Sequence, residues 1–108
     1  MDSEENSDQL STFDVVVDRP GHATVTIAGE LDMSGIDPLA TRVATVLEGG
    51  VDSLTVDVTE VRFADSSAIA LWVRWSGEVN ELELRDPPPL LRRVIEAMGL
   101  RERLGLAP

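Results

Sequence analysis

The sequence predicts an α/β protein of two layers, in which a mixed sheet of four or five strands carries its helices mainly on one face. Stretches with period-two alternation indicate strands, as where Ala23, Val25 and Ile27 alternate with more polar neighbours. Other stretches repeat apolar residues at helical spacing, and the predicted order is β-β-α-β-α-β-α. Because crossovers between parallel strands are right-handed and these strands are not apolar throughout, the helices are expected to share one face.

The first half of the chain contains two predicted strands and a helix. The strands span Phe13–Asp18 and Ala23–Leu31 and are expected to pair antiparallel across the turn between them. Asp37-Pro38 predicts a helix start, with aspartate as N-cap and proline in the first turn. Gly49-Gly50 then ends this helix, whose apolar stripe comprises Leu39, Val43, Val46 and Leu47.

The second half repeats the pattern of strand and helix. A third strand contains Leu54, Val56 and Val58, and a polar turn connects it to a helix of about ten residues ending near Ser76-Gly77. Leu82 and Leu84 mark a fourth strand. A third helix follows the prolines at 87–89, with Leu90, Leu91, Val94, Ile95 and Met98 as its apolar residues and Gly99 after its end. Residues 101–108 predict only a short strand or a turn.

Length and composition favour a single domain over residues 13–108. Residues 1–12 hold four acids and no base, so a disordered acidic tail is expected there. The chain has no cysteine, no apolar run long enough to span a membrane and no signal-peptide pattern, so a cytoplasmic protein without membrane insertion is expected. The net charge of −11 disfavours nucleic acid as a partner and is compatible either with solubility or with attraction of a basic partner.

The most informative stretch is Asp65-Ser66-Ser67, where the third strand leads into the second helix. Serine and aspartate satisfy free amide groups at a helix start, and Ser66 is the expected N-cap. A hydroxyl there lies at the positive end of the helix dipole, where an added phosphate is tolerated locally and is sensed by any docked partner. Ser67 is therefore a candidate for a regulatory switch.

Two further features of the sequence bear on function. Trp72 and Trp75 lie three residues apart on the second helix, and we expect part of one of them to stay exposed as a partner surface. The alternative is that another segment covers both tryptophans. His22, the only histidine, is expected to be a solvated turn residue rather than a catalytic base.

Several kinds of chemistry are disfavoured by the residues present. One histidine and no cysteine exclude an ordinary zinc site, the acids lack the spacing of a calcium loop, and no glycine-rich phosphate-binding run is present. We therefore predict no cofactor and no metal. The serines lack the G-x-S-x-G pattern and a nearby base, so a hydrolase is disfavoured and the protein is not expected to be an enzyme.

Taken together, four motifs resemble the STAS domain of anti-sigma factor antagonists. Each motif is short, but their order and spacing match the family over about residues 13–107. They are Gly29-Glu30-Leu31-Asp32, Asp57 within the third strand, Val61-Arg62-Phe63-Ala64-Asp65-Ser66-Ser67, and the closing helix from Pro89 to Leu100 with Arg92 or Arg93 near the family's basic position. Ala68 differs from the glycine that the family usually has there.

The resemblance implies a bacterial regulator of transcription that binds an anti-sigma factor of the serine kinase type. By position, Ser67 would be the phosphorylated serine, and a PP2C-type phosphatase would reset the protein. The implied partner surface comprises Asp32, Ser34, Asp65, Ser66, Ser67, Ala68 and Trp72. The resemblance leaves open a second role, a STAS subunit of an ABC-type membrane lipid transporter that binds its ATPase. A weak homodimer through the uncovered sheet face or the edge strand also stays open.

Overall fold

The computed structural model describes residues 11–106, which form a four-stranded mixed sheet and three helices. Along the chain the elements are β1 (Ser11–Arg19), β2 (His22–Leu31), α1 (Met33–Glu48), β3 (Ser53–Ala64), α2 (Ser66–Glu78), β4 (Glu81–Arg85) and α3 (Pro89–Ala97). The order is the predicted β-β-α-β-α-β-α, and the predicted fold class is confirmed. None of the helices within residues 11–106 is both long and apolar enough to cross a membrane.

The sheet has the order β1-β2-β3-β4. β1 pairs with β2 in the antiparallel sense, as predicted, whereas β2, β3 and β4 are parallel. The register places Val15, Val25, Val56 and Leu84 in one row across the four strands, and all four are buried. This row is the sheet side of the hydrophobic core.

The helices α1 and α2 cover the apolar face of the sheet. α1 contacts β1 and β2, α2 contacts β3 and β4, and the two helices contact each other. On the opposite face the register brings together polar side chains such as Thr24, Thr55 and Glu83. The period-two alternation in the sequence therefore reports a sheet with one apolar and one polar face.

β1 begins two residues earlier than the sequence suggests. Ser11 pairs with Gly29 and Thr12 with Ala28, so these two residues belong to the sheet rather than to the predicted tail. Their side chains give no strand pattern, and pairing with β2 is what extends the strand. The remainder of the predicted tail, residues 1–10, lies outside the described residues.

The predicted start of α1 at Asp37-Pro38 is wrong. The helix begins at Met33 with Asp32 as its N-cap, and Pro38 lies inside the helix. The Asp32 carboxylate accepts a hydrogen bond from the backbone N–H of Ser34 at 3.0 Å, which stabilises a helix start before the one that Asp37-Pro38 predicts. Pro38 has no backbone N–H, so one hydrogen bond of the helix is missing in its second turn.

The turn between β3 and α2 is shorter than predicted. β3 continues through Arg62, Phe63 and Ala64, so Asp65 alone connects the strand to the helix. The strand extends because its late residues still pair with β2, as Phe63 does with Glu30. α2 has 13 residues and ends at Glu78, close to the expected end.

The chain after β4 closes one edge of the sheet. α3 ends in a Schellman motif, in which Gly99 has a positive φ of 74° and the Leu100 N–H donates to the Ile95 carbonyl at 3.1 Å. Residues 101–105 form turns, one of the two alternatives predicted for this segment. Leu84 of β4 donates its N–H to the carbonyl of Leu104, so this segment lies along the outer edge of β4.

Candidate functional site

Two helix starts lie side by side at the carboxyl ends of the parallel strands β2 and β3. Leu31 and Ala64, the last residues of these strands, are register partners. The residue that follows each strand is the N-cap of a helix: Asp32 for α1 and Asp65 for α2. The Asp65 N–H also donates to the Leu31 carbonyl at 3.2 Å. This edge therefore presents two aspartates and the positive ends of two helix dipoles together.

Asp65, and not the predicted Ser66, is the N-cap of α2. Its carboxylate oxygen Oδ1 accepts hydrogen bonds from the backbone N–H of Ser67 at 2.9 Å and of Ala68 at 3.2 Å. Because β3 runs as far as Ala64, the extended residue before the helix is the aspartate, and both serines are already helical. Either residue type suits a cap, so the sequence alone left the exact position undecided.

Ser67 occupies the second helical position of α2 and is half-buried. Its backbone N–H is bound by Asp65, but its hydroxyl makes no hydrogen bond to any residue of the described part of the chain. Ser66, one residue earlier, is exposed. The sequence therefore located correctly a serine hydroxyl at a helix start.

Asp32 and Ser34 form the matching helix start of α1. The Ser34 hydroxyl donates to Asp32 Oδ1 at 2.7 Å, in addition to the bond from the Ser34 N–H. These bonds, the hydroxyl first, hold the pKa of Asp32 below its usual 3.8, because they stabilise the ionised carboxylate. Asp32 therefore keeps its negative charge beside the start of α2, and Ser34 is exposed on the same edge.

Two residues of the predicted partner surface are buried, which corrects the prediction for them. Trp72 and Ala68 both have no exposed surface, and Trp75 is 1% exposed. A helix that packs only on a sheet would keep one side open to solvent. In the structure α2 also packs against α1, and Arg103 donates to the Ser76 hydroxyl at 3.2 Å, so the C-terminal segment reaches the end of α2.

His22 is not a solvated turn residue, contrary to the prediction. It begins β2, is buried, and its Nε2 lies 3.0 Å from the Thr55 hydroxyl. Its Nδ1 lies 3.5 Å from Asp18, whose pKa is lowered chiefly by a hydrogen bond from the Thr24 hydroxyl. The group lies at the amino ends of the parallel strands, away from Ser67, where a polar groove of about 480 Å³ opens.

Exposed apolar side chains lie near the sheet edge that carries Ser67, and the sequence did not predict them. Met33, Phe63 and Leu90 are all more than half exposed. Phe63 and Leu90 line a groove of about 110 Å³ between the end of β3 and α3. Among residues 11–106, no group of three or more histidines or acids is arranged to hold a metal ion.

Comparison with known proteins identifies the family. The family model described as Mlab, STAS domain matches residues 15–107, so the chain belongs to the STAS domain family. No curated protein sequence matches the chain significantly.

Solved structures share the fold at low sequence identity. The anti-sigma factor antagonist SpoIIAA in its unphosphorylated form has a TM-score of 0.79 at 20% identity, over 90% of this chain and 89% of that chain. The Bacillus cell fate determinant SpoIIAA in the phosphorylated form has a TM-score of 0.74 at 22% identity, over 90% and 92%. An anti-sigma factor antagonist from Mycobacterium paratuberculosis has a TM-score of 0.75 at 23% identity, over 91% and 86%.

Proposed function

We propose that this protein is an anti-sigma factor antagonist, which binds an anti-sigma factor of the serine kinase type and is switched off by phosphorylation at Ser67. The observation that carries the proposal is the Ser67 hydroxyl at the start of α2, which makes no hydrogen bond to any of residues 11–106. Membership of the STAS family and the likeness of the fold to named antagonists support it. The docking surface comprises Asp32, Ser34, Asp65, Ser66 and Ser67, and Trp72 and Ala68 act only by supporting it from the core.

The phosphorylation step adds charge where it opposes docking but not folding. The kinase transfers the γ-phosphoryl group of ATP to Ser67 Oγ, which loses its proton, and ADP is released. The phosphate brings about −1.5 to −2 charges to an edge that already carries Asp32 and Asp65. The dipole of α2 offsets part of the local repulsion, by about 0.3–1 kcal/mol. A partner that matches the unmodified edge is repelled, while α2 stays folded, and a PP2C-type phosphatase restores binding.

Ala68 is compatible with this switch, although the family usually has glycine there. Among residues 11–106, Asp86 is the only non-glycine residue with a positive φ, so Ala68 needs no conformation reserved for glycine. Its N–H completes the cap with Asp65. Its methyl group is buried, so it leaves the surface at Ser67 unobstructed.

Ser67→Asp tests the proposal directly. The partner is first captured from native cells with the wild-type chain and identified by mass spectrometry, and the purified anti-sigma kinase is then titrated with each variant. Ser67→Asp is expected to weaken binding at least about tenfold, or ~1.4 kcal/mol. Thr41→Asp adds the same charge at an exposed position of α1 and is expected to bind like wild type.

Two results separate a switch from a structural serine. After incubation with the kinase and ATP, Ser66→Ala should carry phosphate and Ser67→Ala should not. Equal affinity of wild type and Ser67→Asp, or phosphate on Ser66, would rule out the proposed switch.

A second candidate function is a STAS subunit of an ABC-type membrane lipid transporter. The description of the matching family model, Mlab, STAS domain, is what favours keeping it. In this case Ser67 is structural, and the ATPase would bind exposed residues rather than the buried tryptophans. Capture of an ABC ATPase instead of an anti-sigma kinase, with no effect of Ser67→Asp on its binding, would favour this role.

A further inference from the structure

The two outer edges of the sheet differ in whether they are closed. β4 is covered by the C-terminal segment, since Leu84 donates its N–H to Leu104. A side chain at Gly105 would collide with the Leu82 carbonyl, so this segment lies directly against the strand. At the other edge, no strand within residues 11–106 lies beside the nine residues of β1. Open edges of this length tend to pair with another strand.

The backbone groups at the outer edge of β1 can be identified. Arg42 of α1 donates to the Val15 carbonyl at 3.3 Å, which places this oxygen on the outer side of the strand. Because groups alternate along a strand, Phe13 and Val17 also direct their N–H and C=O groups outward. The Val15 carbonyl already accepts from Arg42, and its second lone pair can accept a hydrogen bond from another strand. Val16 and Val17 are 48% and 52% exposed, so this part of the strand also leaves apolar surface uncovered.

We propose that β1 pairs with β1 of a second copy of this chain, in the antiparallel sense and about a two-fold axis at Val15. Two residues can form hydrogen bonds across such a pair only if the backbone N–H and C=O groups of both point outward from the sheet. This requirement restricts the two-fold axis to a few positions along β1. An axis at Val16 sets Asp14 opposite Asp18 of the second copy, and an axis at Asp14 sets it opposite itself, so both place like charges together.

The axis at Val15 avoids these repulsions and uses the regular part of the strand, which ends where the register of β1 shifts between Val17 and Arg19. It sets Phe13 opposite Val17 and Asp14 opposite Val16. Phe13 and Val17 form an aromatic and β-branched pair, a favourable combination, on the same face as the core. The pair occurs twice by symmetry.

The dimer joins the two open edges and leaves only the β4 edges, which the C-terminal segments cover. One pair of strands buries less surface than a standard stable interface, so the association is weak and depends on protein concentration. The proposal does not depend on the function proposed for Ser67.

Neighbouring valines give a matched test by sedimentation velocity over a range of concentrations of the full chain. Val17→Lys removes the pair with Phe13 and is expected to weaken dimerisation about tenfold. Val16 is nearly as exposed as Val17, but Val16→Lys sets a cation opposite Asp14 of the second copy. This variant is expected to strengthen dimerisation by up to about threefold. Tryptophan fluorescence during urea unfolding checks that each variant is folded, because both tryptophans are buried.

Hydrogen exchange gives an independent readout on the unmodified protein. The N–H groups of Phe13, Val15 and Val17 should exchange more slowly as the concentration rises, while that of the exposed Glu78 should not change. A wild-type chain that stays monomeric at its highest soluble concentration would overturn the proposal. Equal weakening by both lysine substitutions, or no effect of either, would also overturn it, because association would then not use this register.

Discussion

The starts of α1 and α2 use the same residue types with opposite results. Each consists of an aspartate N-cap followed, two residues later, by a serine: Asp32 with Ser34, and Asp65 with Ser67. At α1 both the N–H and the hydroxyl of the serine bind the aspartate, whereas at α2 the aspartate binds two backbone N–H groups. The Ser67 hydroxyl is left available.

The difference shows how one local pattern can serve either structure or regulation. The Ser34 hydroxyl stabilises a charge, because it lowers the pKa of Asp32. The Ser67 hydroxyl contributes no hydrogen bond within the described part of the chain, so its modification removes nothing from the fold. A serine that can be phosphorylated without unfolding the protein is expected to have this second arrangement.

Loss of either aspartate cap is expected to have the largest effect on stability of any substitution at the two helix starts. Asp65→Ala leaves two backbone N–H groups at the start of α2 without their acceptor, and we expect a loss of about 1–2 kcal/mol in the free energy of unfolding. Asp32→Ala removes one backbone bond and the bond from the Ser34 hydroxyl, and should cost less because water can replace the bond of this exposed hydroxyl. Urea unfolding followed by tryptophan fluorescence measures both. An equal cost for the two variants would show that the caps are equivalent.

Acid titration should show a smaller effect, a change in the pKa of Asp32 that depends on Ser34 but not on Ser67. A lowered pKa means that Asp32 stabilises the fold above pH 3.8, and that this contribution is lost as the pH falls through the lowered pKa. In Ser34→Ala the pKa of Asp32 should rise towards 3.8, because the largest cause of its shift is removed. NMR titration of the Asp32 carboxyl measures this shift. Ser67→Ala is the control and should leave the pKa of Asp32 unchanged.

The smallest expected effect is that of Ser67→Ala on stability. The hydroxyl of Ser67 has no hydrogen bond to lose within residues 11–106, and alanine is a good helix former, so the free energy of unfolding should change by less than about 0.5 kcal/mol. Urea unfolding of the wild type and the variant checks this value. A loss above 1 kcal/mol would show that the hydroxyl is structural.

Much of the fold follows from patterns within single segments. The alternation in β2 and in Glu81–Arg85 predicted the strands, and Gly99 after Met98 predicted the end of α3. The start of α1 did not follow, because Asp32 and Asp37-Pro38 are both good start signals. In the structure β2 ends at Leu31, opposite Ala64 at the end of β3, and Asp32 caps the helix directly after the strand.

The candidate site was predicted where it depends on local sequence and missed where it depends on packing. The position of Ser67 follows from three residues, Asp65 to Ser67. The burial of Trp72 in the core depends on the packing of α2 against the sheet and against α1, which is distant in sequence. His22 is buried for the same kind of reason, because its partner Thr55 comes from β3. Neither contact has a signal in the neighbouring residues.

The central claim is tested most directly with protein that carries phosphoserine at position 67, incorporated during synthesis. Its free energy of unfolding and its affinity for the purified anti-sigma kinase are measured beside those of the unmodified chain. We predict unfolding within about 1 kcal/mol of the unmodified protein, and binding weakened at least about tenfold. Unchanged binding, or a phosphorylated chain that no longer folds, would contradict the account.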